Sequence, residues 1–267
     1  HEDMSRWAAE KAGFNSSMSN RIGSYADEPD DPENMSYDPD ISGDDPDVPN
    51  VYIIPLINIP IYVEEIIESN YNHYYDPTLY LPDLVDPPNQ PILQYILDYY
   101  FSPPYDGTGG APNQISKYLQ RAMTTSSPVN QRAINLSYAS HFVCDMSMPF
   151  HTNDATLQAV LNKTELNYLI PEPHFLYEND YVGQNWTGGL KFGSVAENAN
   201  YAYGTTNPVA HSKVLANYSH AYASTILFYV TFRDYDNRTL ESVTDRCLFE
   251  GQAALNGLMV YGKNGGI

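Results

Sequence analysis

Apolar residues recur at intervals of three and four along most of the chain, and clusters of Pro and Gly separate the stretches that show this spacing. The spacing puts the apolar residues of each stretch on one face of an α-helix. Strand-like alternation is scarce. The helical stretches are 4–18, 92–101, 113–125, 130–145, 154–162, 208–232 and 240–260. The pattern therefore predicts an all-α fold, a multi-helix bundle with long loops.

An acidic, Pro-rich run at about 28–50 interrupts this pattern. Such a run buries too little apolar surface to offset its ordering entropy, so we expect a solvated loop. Calcium binding by its carboxylates is the alternative, although their spacing does not match an EF-hand loop. No clean linker divides the chain, and 267 residues with 42% apolar composition suffice for one sizeable core. We therefore expect a single domain over 1–267.

The net charge of −20, from 33 acidic and 13 basic residues, opposes a stable complex with nucleic acid. Bound divalent cations would reverse the field locally, so a phosphate-bearing substrate stays compatible with it. No stretch has the roughly 18 to 20 uninterrupted apolar residues of a membrane-spanning helix. The nearest, 51–67, contains Pro55, Pro60, Glu64 and Glu65. We expect no transmembrane segment.

Two further features bear on the compartment. The only cysteines, Cys144 and Cys247, form either two buried free thiols or one disulfide between a central helix and the C-terminal helix. Glycosylation sequons favour a secreted or extracytoplasmic protein. They begin at Asn15, Asn34, Asn135, Asn162, Asn185, Asn217 and Asn237.

The sharpest chemical signal is the segment from His141 to His151. His141 and Asp145 are four residues apart and share one face of a helix. Pro149 is expected to end that helix and let His151 fold back. Three potential metal ligands therefore converge.

A second pair, His174 and Glu178, shows the same spacing of four. Either pair alone is also typical of a hydrogen-bonded core histidine or of a pair that stabilises a helix. The concentration of histidines favours metal binding, because five of the seven lie in such motifs and only His211 and His220 lie outside them. Mixed nitrogen and oxygen donors suit zinc, although manganese or iron would accept similar ligands.

The stretch from His141 to His151 resembles the His-x3-Asp-x5-His signature of the zinc-dependent phospholipase C and single-strand nuclease superfamily, and His174 to Glu178 resembles its following His-x3-Glu. A Glu at this second site is closer to the bacterial phospholipase C branch. Asn72-His73-Tyr-Tyr-Asp-Pro is similar to another segment of that branch, as is Tyr25-Ala26-Asp27. His1 resembles the histidine that begins the first helix of the family.

The resemblance implies three zinc ions and assigns their ligands. One zinc would be bound by Asp27, His73, His141 and Asp145, and a second by His151, His174 and Glu178. Asp145 would bridge the first zinc to a third, which His1 completes. The resemblance further implies that Asp27 is catalytic and orients or deprotonates the attacking water.

The chain departs from the family pattern at three points. No Trp precedes His1, so either the mature N-terminus is missing from this sequence or the amine of His1 joins its imidazole at the third zinc. Asp30 competes with Asp27 for the role of the essential aspartate, and we favour Asp27. Glu28 and Asn70 stand where choline-preferring members have aromatic residues, although Tyr71, Tyr74 and Tyr75 offer substitutes.

Three functions are compatible with these residues. The first is a phospholipase C-type enzyme that cleaves head groups from phospholipids by metal-activated water. The second is a single-strand nuclease or 3′-nucleotidase of the same superfamily. The third is a non-catalytic, metal-stabilised surface protein, against which the run of imidazole and carboxylate ligands argues.

Overall fold

The computed structural model describes residues 1–30, 52–54, 59–61, 75, 77, 110–152 and 173–267. The described chain is mainly helical, which confirms the predicted all-α class. Its α-helices are α1 (Glu2–Lys11), α2 (Ser16–Ser24), α3 (Ala111–Met123), α4 (Val129–Asp145), α5 (Pro173–Phe175), α6 (Phe192–Glu197), α7 (Pro208–Thr231) and α8 (Arg238–Asn264). Two 3-10 turns (Glu28–Asp30 and Pro149–His151) and a π-helix (Leu176–Gly183) accompany them.

One short antiparallel strand pair accompanies the helices. Strand β1 (Tyr52–Ile54) pairs with β2 (Ile59–Ile61), with Tyr52 opposite Ile61. The predicted helices over 92–101 and 154–162, and residues 31–50 of the predicted acidic loop, lie outside the described residues. In the part of the chain that is described, no helix is both long and apolar enough to cross a membrane.

The single helix predicted over 4–18 was wrong, because the structure divides this stretch into α1 and α2. Gly13 lies between them with a φ of 82°, a left-handed conformation that favours glycine and ends α1. Asn15 then caps α2, since its side-chain oxygen accepts a hydrogen bond from the backbone N–H of Met18 at 3.0 Å. The apolar spacing continues across the break, which is why the sequence pattern misses it.

Helix α4 occupies the centre of the molecule. Every residue from Arg132 to Asp145 is buried, and the helix packs against α2, α3 and α8. Tyr118 of α3 contacts α4 with its ring, edge-on to Tyr138 at 5.3 Å between centroids and parallel to Phe142 at 5.9 Å. Because α4 is buried on all sides, the side chains of His141 and Asp145 in its last turn lie in the interior.

The first helix of the chain packs against the last. Gln252 of α8 donates a hydrogen bond to the backbone carbonyl of Met4 at 3.0 Å. Farther along α8, Lys263 donates to the carbonyls of Ala12 and Gly13 at 2.8 and 2.6 Å, just after α1 ends. The carbonyls at the end of a helix have no partner within it, so this lysine stabilises the end of α1.

The two cysteines lie in different helices, Cys144 in α4 and Cys247 in α8, and both are buried free thiols. Of the two possibilities considered from the sequence, the structure therefore has the free thiols. Burial raises the pKa of each thiol to about 12. Both cysteines are therefore neutral and unreactive at physiological pH.

Arg132 ties three chain segments together from a buried position. Its Nε donates to the carbonyl of Ala122 at 2.6 Å, and its two terminal nitrogens donate to Gly266 and Gly265 at 3.1 and 3.2 Å. A planar guanidinium reaches three carbonyls at once, whereas a lysine ammonium has no such fork. Arg132 thus joins the ends of α3 and α8 to the start of α4.

We expect Arg132→Met to lower the free energy of unfolding by about 3 kcal/mol, because it leaves three carbonyls without their charged donor. Urea denaturation followed by circular dichroism measures the loss. Arg132→Lys keeps the charge without the fork and should recover only part of the stability. Equal stability of Arg132→Met and the wild type would contradict this interpretation.

Candidate metal centre

The last turn of α4 places His141 and Asp145 side by side in the interior. Both side chains are fully buried, and His141 Nε2 lies 3.3 Å from Asp145 Oδ2. The other ring nitrogen of His141, Nδ1, donates to the carbonyl of Ala26 at 2.8 Å. That bond fixes the tautomer and leaves an unshared electron pair on Nε2, so two acceptor atoms face each other. A metal ion between such acceptors would satisfy both.

His1 brings the start of the chain into this cluster. Its Nε2 lies 3.2 Å from Asp145 Oδ1, and its Nδ1 lies 3.3 Å from Asp27 Oδ1 and 3.5 Å from Asp30 Oδ2. Asp30 Oδ1 also lies 3.4 Å from His141 Nε2. The carboxyls of Asp27 and Asp30 are 60% and 55% exposed, so the cluster opens to solvent on their side.

A second cluster combines His151, His174 and Glu178. His151 Nε2 lies 3.1 Å from His174 Nε2 and 3.2 Å from Glu178 Oε1, and His174 Nε2 lies 2.8 Å from the same oxygen. Glu178 Oε1 is buried and makes no hydrogen bond of good geometry within the described structure. The three ligand atoms thus point towards a shared space.

The backbone explains how these three residues meet. His151 lies in the 3-10 turn that begins at Pro149, four residues after α4 ends at Asp145. His174 lies in the single turn α5, and Glu178 lies in the π-helix that continues it. π-Helical segments are rare in proteins, and those that occur are often found at functional sites.

Asp145 joins the two clusters, because its Oδ1 also lies 3.8 Å from His151 Nδ1. Burial raises the pKa of Asp145, but the positive charge that His141 and His151 carry when protonated outweighs burial and holds the pKa well below its usual range. The same holds for Glu178, where burial is outweighed by His151 and His174. Both carboxylates are therefore ionised at neutral pH and available as ligands.

The ligand atoms of each group lie close enough together to hold a metal ion. Tetrahedral zinc, with bonds of about 2.1 Å, separates its ligand atoms by about 3.4 Å. In the first group, His1 and His141 lie 3.2 and 3.3 Å from Asp145. In the second group, the shortest distance is 2.8 Å, between His174 and Glu178. Each of these groups brings its ligand atoms within 4.8 Å of one another, as does a third group made of His1, Asp27 and Asp30. Each group offers three protein ligands.

Helix α7 supports the segment between Asp145 and His151. The hydroxyl of Ser219 donates to the carbonyl of Met146 at 2.7 Å. The next residue, His220, contacts the carbonyl of Thr152 through Nδ1. These bonds hold both sides of the turn that carries His151. The sequence left His220 unassigned, because no local spacing connects it to Thr152.

The structure brings together seven of the eight residues predicted as metal ligands: His1, Asp27, His141, Asp145, His151, His174 and Glu178. The eighth, His73, lies outside the described residues, as does Asn70. Tyr75 is described, and its backbone N–H donates to the carbonyl of His151 at 2.9 Å.

Two residues of the predicted substrate region, Glu28 and Tyr75, make contacts that support the fold and do not line an open aromatic box. Glu28 accepts a hydrogen bond from the hydroxyl of Tyr138 in α4, which anchors the 3-10 turn between Asp27 and Asp30. Tyr75 is only 4% exposed, and its ring packs beside the ammonium of Lys213 at 5.6 Å. Asp30 was ranked behind Asp27 from the sequence. Asp30 contacts both His1 and His141, so its position suits a ligand as well as that of Asp27 does.

No protein-family model, curated protein or solved structure matches the chain. The likeness to the phospholipase C and nuclease superfamily therefore rests on the short sequence motifs alone.

Proposed function

We propose that this chain is a zinc-dependent phosphodiester hydrolase of phospholipase C type. The observation that carries the proposal is the pair of ligand clusters that meet at Asp145, within 3.2 to 3.8 Å of His1, His141 and His151. A purely structural zinc site is closed by four protein ligands. Adjacent clusters with three protein ligands each suit several ions that share one substrate.

Zinc, when bound, lowers the pKa of a ligated water from 15.7 to about 7 and polarises a phosphoryl oxygen. His1, His141 and Asp145 would hold one part of the metal group, with Asp27 and Asp30 at its open side. His151, His174 and Glu178 would hold the other part. The ligand geometry is kept in place by the bond from His141 to Ala26 and by α7, so little reorganisation is needed when substrate binds.

Asp27 is the residue we assign to the attacking water. Its carboxyl is exposed at the edge of the cluster, where water has access. A hydrogen bond from His1 outweighs partial burial and lowers the pKa of Asp27, so the group is a carboxylate at neutral pH. A carboxylate with a lowered pKa is a weak base. Its main contribution is therefore to accept a hydrogen bond from the water and orient it towards phosphorus.

The charge of the chain and the second cluster support the substrate class that we propose. The chain carries a net charge of −20, which disfavours long polynucleotides and is compatible with a zwitterionic lipid head group. Glu178, in place of an aspartate, resembles the phospholipase branch. We therefore propose phospholipids as substrates and a secreted or extracytoplasmic location.

The proposal is tested with protein purified without chelators. Elemental analysis should find about three zinc ions per chain, and the protein should release phosphorylated head groups from a panel of phosphatidylcholine, phosphatidylethanolamine and phosphatidylinositol. Chelation should abolish the release and added zinc should restore it. Cleavage of single-stranded DNA without lipid cleavage would move the protein to the nuclease branch, and less than one zinc ion per chain with neither activity would overturn the proposal.

A further inference from the structure

Two phenylalanine rings project into solvent at the end of α7. Phe228 and Phe232 are 58% and 69% exposed, and Phe232 is the most exposed large apolar side chain of the described residues. The two rings contact each other, with 5.0 Å between their centroids. The ring of Tyr229 lies 5.3 Å from that of Phe228 and extends the patch. A contiguous aromatic patch in water marks an interaction surface, whereas single exposed apolar residues are ordinary.

The exposed face of α7 carries no charge. None of the exposed residues between Pro208 and Thr231 is charged, and the helix contains no Asp or Glu. Its one Lys or Arg is Lys213, which is half-buried beside the ring of Tyr75. The whole chain, in contrast, has 33 acidic residues and a net charge of −20. Helix α7 is therefore a side on which this acidic chain can approach phosphate groups with little repulsion.

An arginine follows the patch in a backbone conformation that usually requires glycine. Arg233 has a φ of 52°. Its N–H donates to the carbonyl of Val230 at 3.0 Å, and the N–H of Asp234 donates to that of Tyr229 at 2.9 Å. These are the two hydrogen bonds of the Schellman motif, whose left-handed position is usually glycine because a side chain strains it. Strained residues of this kind cluster at functional sites, so the cationic side chain after Phe232 calls for a partner.

The charges next to the patch leave Arg233 available. Asp234 accepts a hydrogen bond from the side chain of Asn237 at 3.0 Å. Asp236 and Arg238 are exposed and have opposite charges. Within the part of the chain that is described, Arg233 forms no ion pair. Its guanidinium can therefore donate to phosphate oxygens, the acceptors that arginine binds best.

The patch belongs to the helix that supports the candidate metal centre. His220 of α7 contacts the carbonyl of Thr152. Phe228 lies eight residues farther along α7, about 12 Å along the axis and about 80° around it. Another exposed ring, Phe175, follows the proposed ligand His174 in α5, which contacts α7. Exposed aromatic rings thus occur both at the end of α7 and beside the second ligand cluster.

We propose that Phe228, Phe232 and Arg233 form a docking site for the surface of a zwitterionic phospholipid bilayer. The two rings would enter the boundary between head groups and acyl chains, and Arg233 would bind lipid phosphate. A zwitterionic surface suits the chain better than an anionic one, because an anionic surface repels a net charge of −20. The inference rests on the proposed phospholipid substrate, since docking would hold the protein where that substrate lies.

The first test measures binding to phosphatidylcholine vesicles. Zinc-saturated protein is mixed briefly with the vesicles and sedimented with them. We expect the wild type to sediment with the vesicles. The double variant Phe228→Ala/Phe232→Ala should bind at least about tenfold more weakly, because it loses two apolar rings from the interface. Tyr201→Ala, which removes a 60% exposed ring outside α7, should bind as the wild type does.

Arg233→Gly separates docking from a structural role of the arginine. Glycine relieves the strain of the positive φ, so the melting temperature should be unchanged or higher. Vesicle binding should nevertheless weaken at least about threefold, because the contact with lipid phosphate is lost. Full vesicle binding by Arg233→Gly would overturn the assignment of Arg233.

Hydrolysis distinguishes failure of docking from failure of the proposed function. The phospholipid cleaved best is supplied either in vesicles or as a dispersed short-chain form. The double variant should lose rate on vesicles and keep kcat/KM for the dispersed lipid. No cleavage of either form would overturn the proposed function, whereas vesicle binding does not require cleavage and tests docking separately.

Three results would overturn the docking site. The first is vesicle binding by the double variant as tight as that of the wild type. The second is an equal loss of binding in Tyr201→Ala. The third is a wild-type dimer in sedimentation equilibrium that the double variant abolishes, because the rings would then cover a second copy of this chain.

Discussion

Asp145→Asn should lower kcat/KM for phospholipid cleavage by at least about 10³-fold, a loss of roughly 4 kcal/mol in stabilisation of the transition state. The reason is the position of Asp145 between the two clusters, fully buried and within 3.2 to 3.8 Å of three histidines. An amide keeps the shape but provides no negative charge to hold metal ions together. Head-group release and zinc content, measured on the same preparation, give the result.

The matched control is Asp236→Asn, which removes one exposed carboxylate and should leave kcat/KM and zinc content unchanged. Thermal unfolding of both variants separates loss of the metal from loss of the fold. Full zinc content together with full activity in Asp145→Asn would contradict the central role of Asp145. Reduced zinc content with a folded protein would support it.

Removing zinc should lower the melting temperature by roughly 10 °C. Free zinc at about 1,000 times its Kd stabilises a single site by about 4.1 kcal/mol, and each kcal/mol corresponds to about 2–4 °C in a domain of this size. The histidines of the two clusters come from chain segments as far apart as His1 and His174, so metal binding joins elements that the unfolded chain separates. Calorimetry before chelation, after chelation and after return of zinc measures the shift.

A pair of histidine variants shows whether the shift arises at the proposed centre. His174→Ala should reduce the stabilisation by zinc, because it removes one of the three ligands of the cluster formed by His151, His174 and Glu178. His211→Ala removes a histidine that lies outside both clusters, against Tyr203, and should retain the full shift. Equal shifts in both variants would contradict the ligand assignment.

The sequence predicted those contacts of the candidate site that join residues close together in the chain. His141 with Asp145, and His174 with Glu178, are pairs whose spacing of four places both side chains on one side of a helical turn. Their contacts of 3.3 and 2.8 Å agree with that expectation. Helix α4 was also predicted within one residue at its start, because a long apolar stretch and a clear end define it. Local spacing is enough for features of this kind.

Contacts between segments that are distant in the sequence could not be predicted from the spacing of residues. Asp30 meets His141 only because the 3-10 turn after α2 rests against α4. His220 reaches Thr152 only because α7 packs beside the turn that holds His151. The π-helix around Glu178 contacts α8 through the hydrogen bond from Tyr177 to Thr244, and no local sequence signal predicted its conformation. Tertiary packing decides these three features, and a spacing rule contains no information about it.

The end of α4 was predicted at Asp145, as observed, but the role expected for Pro149 was only partly right. Helix α4 ends four residues before Pro149, and Pro149 begins a 3-10 turn. Proline favours the first position of a helical turn because its φ is already fixed there. Pro149 therefore cannot continue α4 and begins the 3-10 turn instead.

The packing of α1 against α8 determines the order in which the molecule can be completed during its synthesis. The bond between Gln252 and Met4 joins residues 248 positions apart, so α1 leaves the ribosome long before its partner exists. The earlier α3–α4 hairpin contains only local contacts and can form first, whereas closing so large a loop is slow and comes last. The contacts between α1 and α8 therefore form late, and only then is the position of His1 beside Asp145 fixed from both sides, by α2 and by α8.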